Sequence, residues 1–331
     1  MGKQTKAILN NILAVSGVVV AISGIAVMPV SAAATQSSSI ANGFQISPVS
    51  TELTIDKGQS QVVDLSIYNP TNDISYDQII VNDFIASNEE NGTPRILLNG
   101  QVSDPRHNFI ALVTPVPNVT IQPKSNYTIP ITIKIPANAN SGGYYGAIRI
   151  APASAPSKTG NVGLTASVGS IFLITVPGNL IEKLNLVQLS AAENGSSSSL
   201  IFSGTPQVLT RLDNVGDIHV QPFGSVNVTN MFGKIVANYQ FNDISPRANI
   251  LPNSIRKFVD NLPKKSWWGH YTIEENIAYT SGSSNLITAK AGFWYMPIWF
   301  VIALAVVVIL IVTIIYRIVL HFRHPSPRRR R

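Results

Sequence analysis

The sequence predicts an all-β chain: two tandem immunoglobulin-like β-sandwiches, preceded by an N-terminal signal peptide and followed by one C-terminal transmembrane helix. Three observations lead there. Residues 40–292 carry alternating strand patterns with turn punctuation and almost no helical periodicity. Two uncharged apolar runs bracket that interval, which accounts for a mean hydropathy of +0.20 with only 12% charged residues. The net charge of +7 is confined to the ends. Eight of the 24 basic residues lie before Thr35 or after Lys290, leaving 16 against all 17 acidic ones, a balance of −1. The charge is therefore a topology signal, and a nucleic-acid partner is not expected.

The N-terminal elements follow in order. Lys3 and Lys6 form a charged head, Ile12 to Val30 an apolar stretch, and Ala32-Ala33-Ala34 a small-residue cleavage site. This predicts a signal peptide over 1–34 and a flexible mature N-terminus over 35–43. The first sandwich is expected over 44–180. Within it, Ile129, Ile131, Ile133 and Ile135 alternate with Thr128, Pro130, Thr132 and Lys134, the pattern of a half-buried strand whose prolines push it to an edge or a bulge. Val63, Leu65 and Ile67 alternate in the same way. Residues 87–117 read as an irregular insertion, and Gly163 to Val176 as a long closing strand, broken by Pro177-Gly178-Asn179.

The second sandwich is expected over 181–292. A faint internal echo links the halves: a strand, Asn69, a turn and Asp73-Ile74, against a strand, Asn214, a turn and Asp217-Ile218. The transmembrane helix is placed at 293–320, since Ile298 to Tyr316 carries no charge and would span roughly 30 Å as a helix. Trp294, Tyr295 and Trp299 are expected in the headgroup layer. Arg317, Arg323 and Arg328, Arg329, Arg330 and Arg331 mark a basic cytoplasmic tail, 321–331, so the sandwiches face outward from the cell membrane in a single-pass topology. A cell-wall sorting signal is not expected, because no Leu-Pro-x-Thr-Gly motif precedes the helix.

Ile46-Ser47-Pro48, Lys57-Gly58-Gln59 before a strand ending Asn69-Pro70, and the glycine-led run Gly142-Gly143-Tyr144-Tyr145-Gly146-Ala147-Ile148-Arg149-Ile150 resemble bacterial surface proteins with the WxL-interacting, peptidoglycan-binding domain. In that family a second immunoglobulin-like domain, a transmembrane helix and a basic tail follow, the order seen here over nearly the whole chain. The resemblance implies a bacterial cell-surface protein with peptidoglycan or other surface proteins as partners. It carries over no binding residue.

Catalytic signatures are absent. The chain lacks His-Glu-x-x-His, Gly-x-Ser-x-Gly, Ser-x-x-Lys and phosphate-loop motifs, and with no cysteine it has no thiol chemistry or Cys-ligated metal. No cofactor, metal site or enzymatic activity is expected. Glu89-Glu90 reads as solvated. Glu275 falls on the inward face of its strand, and a β-bulge turning it outward is the expectation. The candidate ligand contacts are aromatic: Tyr144 and Tyr145 in the glycine-led strand, and Trp267 and Trp268, of which one is expected to pack and one to be exposed. The leading reading is a membrane-anchored, non-catalytic binding or scaffolding protein. The alternatives are an adhesin or structural spacer and, behind these, an envelope hydrolase.

Overall fold

The computed structural model describes residues 44–98, 100–153, 167–279 and 286–323, with only the backbone described for residues 321–323. The expected signal peptide, the segment 35–43 and Arg328 to Arg331 lie outside the described residues. What is described is all-β with one C-terminal apolar helix.

The first half contains β1 (Gln45–Ser47), β2 (Ser50–Thr54), β3 (Ser60–Tyr68), β4 (Ser75–Ala86), β5 (Pro94–Ile96), β6 (Val119–Ile121), β7 (Asn126–Lys134), β8 (Gly142–Pro152) and β9 (Val168–Val176). One sheet has the order β1-β3-β7; the other runs β2-β9-β8-β4-β5, with β6 also on β4. Pairing is antiparallel except between β2 and β9. The alternating isoleucines of β7 and Leu65 and Ile67 of β3 point into a core shared with Ile148, Ile150, Phe172 and Ile174 of the facing sheet. β7 lies at a sheet edge, where Pro130 can forgo a ladder hydrogen bond. The closing strand is described over Val168–Val176, and residues 163–166 of the expected strand lie outside the described residues.

The second half contains β10 (Leu184–Glu193), β11 (Ser196–Ser197), β12 (Leu200–Ile201), β13 (Gln207–Asn214), β14 (Phe223–Asn230), β15 (Ile235–Phe241), β16 (Ser254–Asn261), β17 (Gly269–Ala278) and β18 (Leu286–Tyr295). The sheets run β11-β10-β13-β16 and β12-β18-β17-β14-β15. A separate core gathers Val208, Leu212, Val226, Ile273, Trp267 and Phe293 from both. The helix α1 spans Ile298–Arg323, and its stretch Ile298–Leu320 is long and apolar enough to cross a membrane, with none of it buried against the sandwiches.

Two sequence readings are corrected here. The helix does not begin at 293: Phe293, Trp294 and Tyr295 finish β18, pairing with Tyr271, His270 and Gly269. Tyr295 is accordingly 8% exposed, its hydroxyl donating to the Gly204 carbonyl at 2.9 Å, so it is a core residue and not a headgroup anchor. Glu275 is not turned outward. β17 pairs without a register break on both sides, so alternation holds and Glu275 enters the core, 1% exposed.

The internal echo corresponds to one device used twice. Asn69 and Asn214 are both fully buried at the end of a strand. The Asn69 amide donates to the carbonyls of Asp73, Ile121 and Gln122, and its Oδ1 accepts from Thr71. The Asn214 amide donates to Ile218 and Ile250, and its Oδ1 accepts from Gly216. Each asparagine satisfies backbone groups of a turn that could not otherwise be buried.

Candidate binding cleft

The segment 87–117 is less irregular than its sequence suggests, and it builds one wall of a cleft. Asp83, fully buried on β4, accepts from the backbone N–H groups of Phe109 (3.0 Å), Ile110 (3.2 Å) and Ser103 (3.2 Å). Burial still pushes its carboxyl above the usual range, against the pull of those donors. The anchored loop delivers Phe109, Leu112 and Val113 into the first core. Phe109 lies over Gly146, where a Cβ would sit 1.7 Å from its ring. Gly142, at φ +142°, packs against the His107 ring in the same way. The glycines of β8 therefore serve packing.

Two latches join the halves. At the first, the turn between β4 and β5 reaches the β13–β16 sheet. Arg211 donates to both carboxylate oxygens of Glu90, at 2.7 and 2.5 Å, and Lys257 N–H donates to the Glu90 carbonyl at 2.7 Å. The Arg211 guanidinium holds the Glu90 carboxyl below its ordinary range. Glu90 is thus paired, contrary to the solvated state expected from sequence. At the second, His219, with its side chain only 3% exposed, sets Nε2 2.8 Å from Glu52 Oε1. Gln221 donates to the other Glu52 oxygen at 2.6 Å. Tyr145 completes this latch: its hydroxyl accepts from the His219 N–H at 2.8 Å. The hydrogen bond from His219 lowers the Glu52 carboxyl, and burial raises the Tyr145 phenol.

Beside the latches opens a cleft of about 990 Å³. Its first wall carries Phe84, Tyr145, Asp104 and His107; its second carries Asp213, Asp217 and the turn Leu251 to Ser254; the linker Asn179-Leu180 also lines it. Asp104 accepts from the Arg106 N–H at 2.9 Å and faces His107 Nδ1 at 3.0 Å, and these contacts lower its carboxyl to about 2. Of its four carboxylates, Asp104 is paired with Arg106 and Glu90 with Arg211, while Asp213 and Asp217 meet no cation in an ion pair among the described residues; the half-buried Tyr145 and His107 rings stand beside them, and Phe84 is buried. Among the described residues no group of three His, Asp or Glu side chains could hold a metal ion.

The sequence candidates are dispersed. Tyr144 is buried, its hydroxyl donating to the Asn140 carbonyl at 2.9 Å, and is no ligand contact. Tyr145 does line the cleft, as part of a latch. Trp267 packs in the second core and donates from Nε1 to the Pro263 carbonyl, so it too is removed as a contact. Trp268 is 44% exposed, far from the cleft in the chain's pairing scheme and edge-on to Phe300 of α1. Trp294 and Trp299 are exposed; Arg317 lies on α1, exposed; Arg323 ends α1. Sequence reasoning missed Glu52, Glu90, Arg211 and His219, because latch partners more than 100 residues apart share no local signal.

No protein-family model and no curated protein matches this chain. Among solved structures it is similar to the class 5 fimbriae chaperone CfaA, with 14% identity over 75% of this chain and 99% of that one at a TM-score of 0.38. It is similar to the E. coli chaperone DraB at 12% identity, over 76% and 97%, with a TM-score of 0.34. It is also similar to the C-terminal domain of wzt at 10% identity, over 36% and 80%, with a TM-score of 0.27. Identities and scores this low assign neither family nor function.

Proposed function

We propose that this is a membrane-anchored, non-catalytic binding protein whose two immunoglobulin-like sandwiches are displayed outside the cell, and that the cleft between them takes a polar surface polymer. The observation that carries the reading is the cleft itself: a large, bridged concavity that sets the half-buried Tyr145 and His107 rings beside carboxylates. Sugar rings stack on aromatic surface while their hydroxyls donate to carboxylates, and amino groups of a wall peptide would meet the same acidic lining. The WxL-interacting resemblance names peptidoglycan as the polymer. The apolar helix and the arginines after it supply the anchor and orientation.

The test uses the full chain in detergent and insoluble peptidoglycan. Co-sedimentation is expected, with severalfold loss for Ser87→Trp, which puts a bulky ring on the cleft lining, and for Asp213→Ala, which removes an unlatched carboxylate. Sedimentation unchanged by both variants would sink the cleft, and capture by whole partner cells without wall binding would favour an adhesin. A C-terminal tag reached by antibody on intact cells would contradict the topology.

A further inference from the structure

The strands of the second half run from the cleft to the start of α1. Asn214, Ser254 and Leu184 sit together at the cleft end; Gln207, Asn261 and Ala192 sit together at the other. That far end also holds the start of β17, the end of β18 and the β14–β15 hairpin, since Tyr271 pairs with both Asn230 and Phe293. It displays an uncommon set of exposed side chains: Phe202 (41%), Phe232 (78%), Trp268 and Trp294 (47%), with Met231 beside Phe232. A soluble sandwich end is normally polar, and a cluster of exposed large apolar groups marks a contact surface.

The chain itself says what lies against this end. Met296 is still pinned to the sandwich, its N–H donating to the Ile201 carbonyl at 2.8 Å, and Trp294 N–H donates to Ser199. Only Pro297 then separates the sandwich from Ile298, where the apolar helix starts. Two Cα steps cover at most ~7 Å, about the depth of one headgroup layer. Trp268 already touches the first turn of α1 through Phe300, with ring centroids 6.0 Å apart. The charge fits an anionic surface: Lys234, Lys264 and Lys265 border the apolar cluster. Of the carboxylates at this end, Glu193 accepts from Ser203 and Asp260 accepts from Tyr239. Lys265 lies over Trp267 at 4.3 Å, which holds the 263–268 loop in place.

We infer that this end of the second sandwich is a lipid-docking surface: Phe202, Phe232, Trp268 and Trp294 seat in the headgroup layer of an anionic bilayer, with Lys234 and Lys264 on lipid phosphates. The sandwich is thereby held upright on the membrane, and the cleft is presented at a fixed height above it. This rests on the reading of α1 as membrane-spanning, so the experiment reports on both.

The chain has no cysteine, so single-cysteine variants give unambiguous labels. Phe232→Cys, Thr128→Cys on β7 and Val308→Cys on α1 are each labelled with an environment-sensitive dye in the full chain. The chains are reconstituted into equimolar phosphatidylcholine–phosphatidylglycerol vesicles bearing shallow nitroxide lipids. The expected result is strong lipid quenching at 308, severalfold greater quenching at 232 than at 128, and severalfold lower iodide quenching at 232 than at 128. Adding Lys234→Glu and Lys264→Glu is expected to weaken the quenching at 232 in these vesicles and to leave it unchanged in pure phosphatidylcholine. Quenching at 308 with none at 232 overturns the docking surface alone. No quenching at 308 overturns the spanning helix and the docking surface with it. A label at 232 that responds identically in both lipids, with or without the lysines, overturns the anionic preference.

Discussion

One buried carboxylate in each half, Asp83 and Glu275, is held in a different way. Asp83 in the first half is surrounded by backbone donors, and its ligands are a loop that would otherwise have no fixed conformation. Glu275 in the second half has one partner, the Thr210 hydroxyl, 3.0 Å from each of its oxygens. Burial raises Glu275 to about 7, with Asp260 adding to the effect. Burial raises both carboxyls, but at Asp83 several backbone N–H donors oppose the rise and fix a loop, whereas Glu275 has a single hydroxyl to set against it.

The largest expected effect tests the first side of that contrast. Asp83→Ala removes the acceptor of three backbone N–H groups, that of Phe109 buried, and releases the 103–110 loop, at about 4 kcal/mol. Calorimetry of the full chain should show a large fall in melting temperature of the first half; an unchanged transition would mean the loop is held by Phe109 packing alone. Next, Asn69→Ala and Asn214→Ala should each cost about 3 kcal/mol, because each removes the donor of two or more backbone carbonyls, with that of Ile121 buried at the first site and those of Ile218 and Ile250 at the second. Similar losses at both sites would confirm that the halves share one device, and a loss at only one would break the parallel.

Glu275 sharpens the other side. Its folded pKa lies above that of the unfolded chain, so between roughly pH 4.5 and 7 the folded state binds more protons. Its stability contribution is full below the unfolded value and is lost as pH rises through about 7. The second half should therefore weaken, by on the order of 3 kcal/mol at most, on going from acidic to mildly alkaline pH. Glu275→Gln should flatten that dependence and stabilise the protein at alkaline pH; a wild-type profile retained in the variant would assign the effect elsewhere. The smallest effect is at the latch. Glu90→Gln weakens a partly exposed ion pair and should cost about 1 kcal/mol, read as faster proteolysis of the 87–93 turn and not as global unfolding.

Much of the architecture is written in local pattern. The isoleucine alternation of β7, its edge position, the apolar helix and the paired asparagines are all visible without a structure, because each depends on residues close in sequence. Strict alternation alone places Glu275 inward, and the Thr210 hydroxyl that receives it comes from a strand 65 residues away, so a bulge is what local pattern and desolvation predict. Tyr295 was misplaced because aromatic residues before an apolar run look the same whether they end a strand or begin a helix. The cleft was not legible, since its walls come from segments far apart in the chain, from Phe84 to Ile255.

By itself, then, the sequence determined the strand periodicity, the absence of thiol chemistry and the separation of charge into two basic ends around a nearly neutral middle. These follow from composition and from side-chain alternation, which act locally. Only the tertiary structure decided which aromatics are core and which are exposed, which carboxylates are paired, and that Glu52, Tyr145 and His219 meet. Those outcomes depend on burial and long-range register, and both exist only once the two sheets of each half have packed.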